Sequence, residues 1–487
     1  MKKYHAILIL IFLMALSFRL YFVFQTPYYS SDDAYFHIRY VEHLSNNLRP
    51  FIHDDLSYGG RTALVSPLFH YFLTIFYKIN PVLAFKIVPE ILLASLVFIV
   101  FIIAKRITKD TTSALLSSLI SGFLPIFIFN TTNKISIYSL VLVLLFYSIY
   151  CLLDIQENIS IFLILAFILP ILHPFGFVLG ISFLLYIIFL NLDSINIKPL
   201  RKEAIILFML ISLLVNLIIF KKGLLSSGIF AVWQNIPTEL QLDIFKNMDL
   251  LTIITSIGVI PLIFGVMGFF LGIFKNKKRS VYLLSAMALT MLLLLLFKLI
   301  SFSIGVMFLG ILLTIMSSLA FEKISRYLTL TKFHKFKKHI CIVFVLLILI
   351  SLGIPSYTNA TKIISNSITQ NEIEALTWAM ENTPKEATIL AGVNEGNLIT
   401  AIAKRKNVLD DRFLLVENRY EEIKKAYTTK SLVIASQIMD KYDTDYFYVS
   451  KRAKKFYKIE EIIYLADENC FKQKYGNEEV EIYKIIC

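Results

Sequence analysis

The run HICIVFVLLILISLGIPSYTNATKIISNSITQNEIEALTWAM (339–380) contains the transition on which the whole chain is organised. Residues 339–355 contain no Asp, Glu, Lys or Arg, and their length approaches the roughly 20 apolar residues of a membrane-crossing helix. From Ser356 the character changes to Asn, Thr and Ser, and Asn371 to Glu381 takes up a helical period with charged positions. An apolar span gives way to a polar domain.

Upstream, the apolar half of that pattern repeats. Spans are predicted near 5–24, 84–104, 111–129, 135–153, 159–173, 175–191, 203–220, 251–274, 281–297, 299–320 and 339–355. The pair at 159–191 is short and interrupted by Pro170 and Pro174, but both halves would go together, leaving the sidedness unchanged. The first run reads as an anchor, since no small-residue cleavage site follows it. Composition agrees: of 487 residues, 57% are hydrophobic and 17% charged, with 41 Phe, against about 25% charged in soluble domains. That excludes a water-soluble enzyme, and scarce Pro, Gly and Cys exclude collagen-like chains and disulfide scaffolds. The expected fold is a polytopic α-helical membrane protein of about 11 transmembrane helices with a small C-terminal extracytoplasmic α/β domain. The membrane domain is expected at 1–355, with a large first outer loop at 25–83, and the external domain at 356–487.

The net charge of +13 raises the question of nucleic acid. Residues 356–487 hold 19 basic and 20 acidic side chains, so the excess lies wholly between the apolar runs. Alternate connections carry Lys2 and Lys3; Lys105, Arg106 and Lys109; Lys198, Arg201 and Lys202; Lys275, Lys277, Lys278 and Arg279; and six bases from Lys323 to Lys338. Eighteen bases on that side against nine on the other predict that it is cytoplasmic, and that the tail lies outside. No nucleic-acid partner is implied; the lipid bilayer is. Within the tail, 388–392, Tyr446 to Ser450 and Val480 to Ile486 read as strands, and Glu417 to Tyr427 as a helix. Cys470 and Cys487 share this domain and are candidates for a disulfide that spacing alone does not establish.

The chemistry-bearing stretch is SSDDAYFHIRYVEHLSNNLRPFIHDDLSYGGRTALVSPLFHYF (30–72), directly after the first span. If 32–47 is helical, Asp33 and His37 share a face, and an acid at a membrane exit suits a divalent cation held on oxygen. The structural alternative is a capping box, Ser30 as N-cap and Asp33 at N3. No Walker loop, GxGxxG, CxxC pair or HExxH is present, which argues against an ATP-driven pump, a dinucleotide enzyme or a zinc protease. Glu90 is the one acid lying clearly within a span, which disfavours an ion relay.

Asp33-Ala34-Tyr35-Phe36-His37-Ile38-Arg39 resembles the Asp-Pro/Ala-x-x-His-x-Arg segment after the first span of archaeal oligosaccharyltransferase catalytic subunits. A second match follows in the tail: Trp378, Asn382-Thr383-Pro384, then ATILAGVNEGNLITAIAKRKNVLDDRF (387–413), similar to that family's strand-turn region carrying WWDYG. The resemblance implies a divergent member of the GT-C glycosyltransferase superfamily. It implies transfer of a sugar or oligosaccharide from a polyprenyl-phosphate-linked donor to a protein, peptide or glycan acceptor at the outer membrane face, assisted by Mn²⁺ or Mg²⁺. Asp33 is then the catalytic residue and a metal ligand, with Glu239, in Pro237-Thr238-Glu239-Leu240, as second ligand. His37, Arg39, Arg61, His173, Lys298 and Glu395 are the expected substrate contacts, with arginines suited to a lipid phosphate. Snorkelling at the interface is the ordinary alternative for the bases. Two departures stand out. Gly392-Val393-Asn394-Glu395-Gly396 replaces WWDYG, and the loop Asn130-Thr131-Thr132-Asn133-Lys134 has no carboxylate where the family has its second acidic pair. They bring in the alternative of a non-catalytic GT-C protein, or a transporter, that binds or moves lipid-linked glycans. The Lys- and Ile-rich, Trp-poor composition fits an AT-rich prokaryotic genome, and the motif variant an archaeon.

Overall fold

The computed structural model describes residues 2–245, 249–275 and 277–487, the side chains of Lys2, Lys3, Ile229, Asp243, Ile244, Leu250 and Phe333 excepted. The chain divides into two compact units, one of residues 1–25, 80–221 and 241–365, the other of 26–79, 222–240 and 366–487. The loop after the first long helix thus groups with the C-terminal residues.

The first unit is helical. Among the described residues, eight helices are long and apolar enough to cross a membrane, or ten if two bent pairs each count as one span. The predicted span at 111–129 is a pair, Thr111–Gly122 and Pro125–Thr131, bent by 42°. The one at 251–274 turns by 92° between Ile257 and Val259, because Gly258 takes φ 89°, a conformation open chiefly to glycine. The predicted 135–153 is the 16-residue helix Tyr138–Leu153, shorter than any of the eight unbroken candidates. The proline-bearing pair forms as Ile155–Leu172 and Phe175–Leu192, with Pro170 inside the first and Pro174 as the N-cap of the second. Where helices approach closely, small residues permit it. A Cβ on Gly265 would lie 2.6 Å from the Leu313 carbonyl oxygen, and one on Gly268 would lie 2.0 Å from that of Met316. Helix Val259–Phe270 therefore packs backbone to backbone on Phe302–Leu330.

Glu90 is buried here against Arg19, with Nε–Oε2 at 2.5 Å. Arg19 also donates to Thr131 at 2.8 Å, and Glu90 accepts from the backbone N–H of Asn133 at 3.1 Å. The intramembrane acid is thus spent on a hydrogen-bonded ion pair joining three segments.

The second unit is built on a sheet of β3 (Thr388–Leu390), β4 (Lys406–Asn407), β5 (Tyr446–Ser450), β6 (Phe471–Gly476) and β7 (Val480–Ile485), ordered β4-β3-β5-β7-β6. A short antiparallel pair, β1 (His53–Asp54) and β2 (Arg61–Thr62), lies in the loop segment. Strand β5 is parallel to β3 and antiparallel to β7, and all its residues are buried. Its alternation assigns them to two cores. Tyr446 and Tyr448 pack with Leu376 and Leu398, and Phe447 and Val449 with Ile423, Met439 and Phe471. Burial on both faces explains an unbroken apolar strand. The helix Gln370–Asn382 starts with a complete capping box, Thr369 and Glu372 bonding reciprocally. Cys470 and Cys487 form a disulfide with Cα atoms 4.7 Å apart.

Candidate active site

Helix Asp32–Asn47 opens with two acids in its first turn, where the helix N-terminus favours negative charge. The capping-box alternative does not form. The N-cap is Ser31, without a side-chain cap bond, and Ser30 instead shares a hydrogen bond with Ser367 at 2.8 Å.

The two acids do different things. Asp32 points at the start of the helical turn 396–398 and accepts from the N–H groups of Asn397 (3.1 Å) and Leu398 (2.9 Å) and from Asn397 Nδ2 (2.8 Å). Asp33 faces the other way. Its Oδ1 accepts from Arg412 at 2.5 Å and its Oδ2 lies 3.2 Å from His37 Nε2, the contact its i,i+4 spacing predicts. His37 Nδ1 in turn shares a 2.8 Å hydrogen bond with Nε2 of buried His70. The Arg412 guanidinium lies 3.6 Å above the Phe36 ring, the favourable face for a cation.

The loop that presents Arg412 is braced from several sides. Asp410 accepts from Ser57 Oγ at 2.6 Å and from the Arg412 N–H at 3.0 Å, and lies 3.5 Å from Arg61. Arg61 also donates to the Arg412 carbonyl. A Cβ on Gly396 would lie 2.1 Å from the Leu409 carbonyl oxygen and 2.7 Å from Asp410 Cβ, so only glycine lets these two segments meet. Asn397 Nδ2 bridges Asp32 to Asp411, at 2.8 and 3.0 Å.

Charge states follow from this wiring. At Asp33 burial acts to raise the pKa, but Arg412 and His37 outweigh it and hold the carboxyl well below the usual carboxylate range. Asp411 is reached by solvent, yet protein crowds it; that crowding first, and then the charge of Asp33, push its pKa up to about 7. Asp32 is likewise raised, by burial and then by Asp411, against its N–H donors. Burial, followed by His37 and Arg412, holds His70 well below its ordinary value, so it is neutral.

The remaining nominated residues are distributed as follows. Arg39 pairs with buried Asp54 through both nitrogens, one at 2.8 Å, and keeps its carboxyl below the ordinary value despite burial. Arg61, in β2, braces the Arg412 loop, as above. Glu239 pairs with Lys424 at 2.5 Å on an exposed face, away from any carboxylate cluster with Asp33. Glu395 is 1% exposed and accepts from Ser450 Oγ; burial first raises its pKa, to about 7. Of the segment 392–396 only Asn394 is exposed. His173 and Lys298 belong to the helical unit. His173 accepts from the Phe175 N–H at 3.2 Å and lies beside Tyr138, while Lys298 is exposed with Nζ 5.8 Å from the Phe245 ring. Sequence reasoning missed Asp32, His70, Asn397, Asp411 and Arg412. The acid-acid-base run Asp410-Asp411-Arg412, at the end of the matched segment, was the available signal.

No protein-family model and no curated protein matches this chain by sequence. Solved structures do. The oligosaccharyltransferase of Archaeoglobus fulgidus in its apo form superposes with a TM-score of 0.72 at 14% identity, covering 99% of this chain and 74% of that one. The same organism's oligosaccharyltransferase AglB in complex with an inhibitory peptide and a dolichol-phosphate gives 0.71 at 14% identity, over 94% and 70%. This chain has the oligosaccharyltransferase fold. A third structure of that enzyme, in complex with Zn and sulfate, gives 0.68 at 14% identity, over 97% and 72%.

The divalent cation implied by the resemblance needs a cluster of oxygen or nitrogen ligands. Among the described residues no group of three or more His, Cys, Asp or Glu is placed to hold a metal ion. Both Asp33 oxygens are taken by Arg412 and His37, Glu239 by Lys424, and the loop 130–134 offers no carboxylate. The donor set does not fit a divalent cation.

Proposed function

We propose that this protein is a membrane glycosyltransferase that moves a sugar or oligosaccharide from a polyprenyl-phosphate-linked donor to an acceptor on the outer membrane face. The observation that carries the reading is the Asp33–Arg412–Asp411 cluster, in a chain that has the oligosaccharyltransferase fold along nearly its full length. Complexes of the archaeal enzyme with a dolichol-phosphate and with a tethered acceptor peptide containing an NVT sequon support a lipid-linked donor and a peptide kind of acceptor.

In the reaction an acceptor nitrogen or oxygen attacks the anomeric carbon while the bond from that carbon to the lipid phosphate breaks. The phosphate leaves with the electron pair. Arg412 and Arg61 each have a buried Nε without a protein hydrogen-bond partner, and an anionic phosphate oxygen would satisfy such donors with charge-assisted bonds. Asp33, held ionised, orients the acceptor N–H or O–H by accepting its hydrogen bond on the second lone pair of an oxygen already engaged by Arg412 or His37. Asp411, titrating near neutrality, is the better proton acceptor, since a general base works best with a pKa near the working pH. His70 and His37 fix the far side of Asp33.

The alternative is a protein that binds lipid-linked glycan without transferring it, favoured by the carboxylate-free loop 130–134. Transport has less support, because Glu90 is tied to Arg19. The deciding experiment reconstitutes purified protein with native lipid-linked glycans and an acceptor peptide, alongside Asp33→Asn. Transfer by the wild type and a fall of about a hundredfold or more in the variant, with donor binding retained, is the expected result. Donor binding without transfer by the wild type identifies the binding protein, and an Asp33→Asn variant with wild-type transfer ends the catalytic assignment.

A further inference from the structure

A second concentration of charge, outside this site, lies at one end of the helical unit. A cleft of about 640 Å³ is lined there by Arg106, Lys109, Arg201, Lys278, Arg279 and Arg326, with Glu322 as the acid in its wall. That volume lies within the roughly 300–1,000 Å³ of small-ligand sites. These bases come from separate connections. Arg106 lies in the last turn of helix Val88–Thr108 and Lys109 caps it, Arg201 lies in the first turn of Pro199–Ser227, Lys278 caps and Arg279 opens Arg279–Leu296, and Arg326 lies near the end of Phe302–Leu330. Convergence from four points in the sequence is not what a solvated charge run produces.

Counter-charge within the protein is insufficient. Arg106 pairs with Asp154 at 2.8 Å, and Glu322 is shared between Arg326 at 2.6 Å and Lys278 at 3.6 Å. Arg201 spends its terminal nitrogens on the Leu153 carbonyl and Tyr186 hydroxyl, and its Nε is buried without a partner. Among the described residues Lys109 and Arg279 form no ion pair. Arg279 and Ser280 lie in the first turn of their helix, whose free N–H groups add partial positive charge to the same cleft. Unpaired like charges held this close repel one another, and a bound anion offsets that repulsion.

We propose that this cleft is a binding site for a phosphate-bearing anion, and that its ligand is the headgroup of an anionic phospholipid. The lining residues are drawn from the connections that the charge asymmetry puts on the cytoplasmic side, where basic pockets between helix ends bind lipid phosphates. Arg201 and Arg279 provide planar donors for phosphate oxygens. The inference is independent of sugar transfer and of the Asp33 cluster.

The test uses the full-length protein, purified in detergent and stripped of lipid. Phosphatidylglycerol, phosphatidylcholine and free inorganic diphosphate are each titrated in, with bound ligand read by native mass spectrometry and stability by thermal unfolding. Two double variants are compared, Lys109→Gln with Arg279→Gln in the cleft, and Lys332→Gln with Lys338→Gln at exposed bases outside its lining. Phosphatidylglycerol should bind and stabilise where phosphatidylcholine does not, and the cleft variant should lose about tenfold in affinity while the control keeps wild-type affinity. If diphosphate alone binds with the same variant dependence, the phosphate site stands and its natural ligand is soluble rather than lipid. Equal losses in both variants, or no binding by either anion, would overturn the proposal. Both readouts are of binding, so failure of the transfer assay leaves this result unaffected.

Discussion

Two of the acids around Arg412, Asp33 and Asp411, are left in different states. Asp33 receives the Arg412 guanidinium directly and stays ionised, whereas crowding by protein, and then the charge of Asp33, drive Asp411 up to about 7. Two carboxyls whose environments separate their pKa values are suited to different catalytic tasks. If Asp411 is the base, it works only when deprotonated, so transfer should rise with pH through about 7 and level off above it. Asp411→Asn should lower the rate by about a hundredfold and abolish that limb; a pH–rate profile of the variant with the limb intact would assign it to another group. This part of the site was half legible. Asp33 and His37 could be paired because helical spacing is local. Asp411 and Arg412 lie in an irregular loop some 380 positions away, where no periodicity announces which way a side chain faces. Glu395 was visible as a motif position, but its burial depends on Ser450 and the packing of β5, which only tertiary structure supplies.

Among elements, length and apolarity were readable and bends were not. A glycine inside an apolar run leaves the pattern unbroken, so 251–274 reads as one span although Gly258 turns it by 92°. The same run carries the closest helix contact described. Gly268→Ala would set a methyl group 2.0 Å from the Met316 carbonyl oxygen, and backbone cannot swing aside as a side chain can. The two helices must separate, at a cost of roughly 1–3 kcal/mol as for other overpacked interiors. Gly353→Ala is the matched control, since a Cβ there meets nothing within 4 Å and alanine is the better helix former by about 1 kcal/mol. Thermal unfolding in detergent should show Gly268→Ala destabilised and Gly353→Ala unchanged or stabilised. Equal behaviour would mean that the Gly268 contact does not hold the pair together.

On the scale of the whole molecule, with each bent pair counted as one crossing, the side on which residues 366–487 lie turns on one short helix. Eight unbroken and two bent candidates give an even number of crossings, which would return the C-terminal unit to the side of the N-terminus. Helix Tyr138–Leu153 makes the number odd. Its 16 residues span about 24 Å at 1.5 Å each, less than the hydrocarbon thickness of about 30 Å, a mismatch that local bilayer thinning accommodates. Two independent features favour counting it. The connections on one side carry 18 bases against nine, and that asymmetry is coherent only if 135–153 crosses. The Cys470–Cys487 disulfide belongs to an oxidising compartment. Residues 366–487 should therefore lie outside the cytoplasm. A periplasmic-type phosphatase fused after Cys487 should be active, and a cytoplasm-dependent fluorescent reporter at the same point should be dark. The opposite pattern would mean that Tyr138–Leu153 does not cross, and would place the Asp33 cluster, which belongs to the same unit, on the side where nucleotide-activated rather than lipid-linked sugars are available.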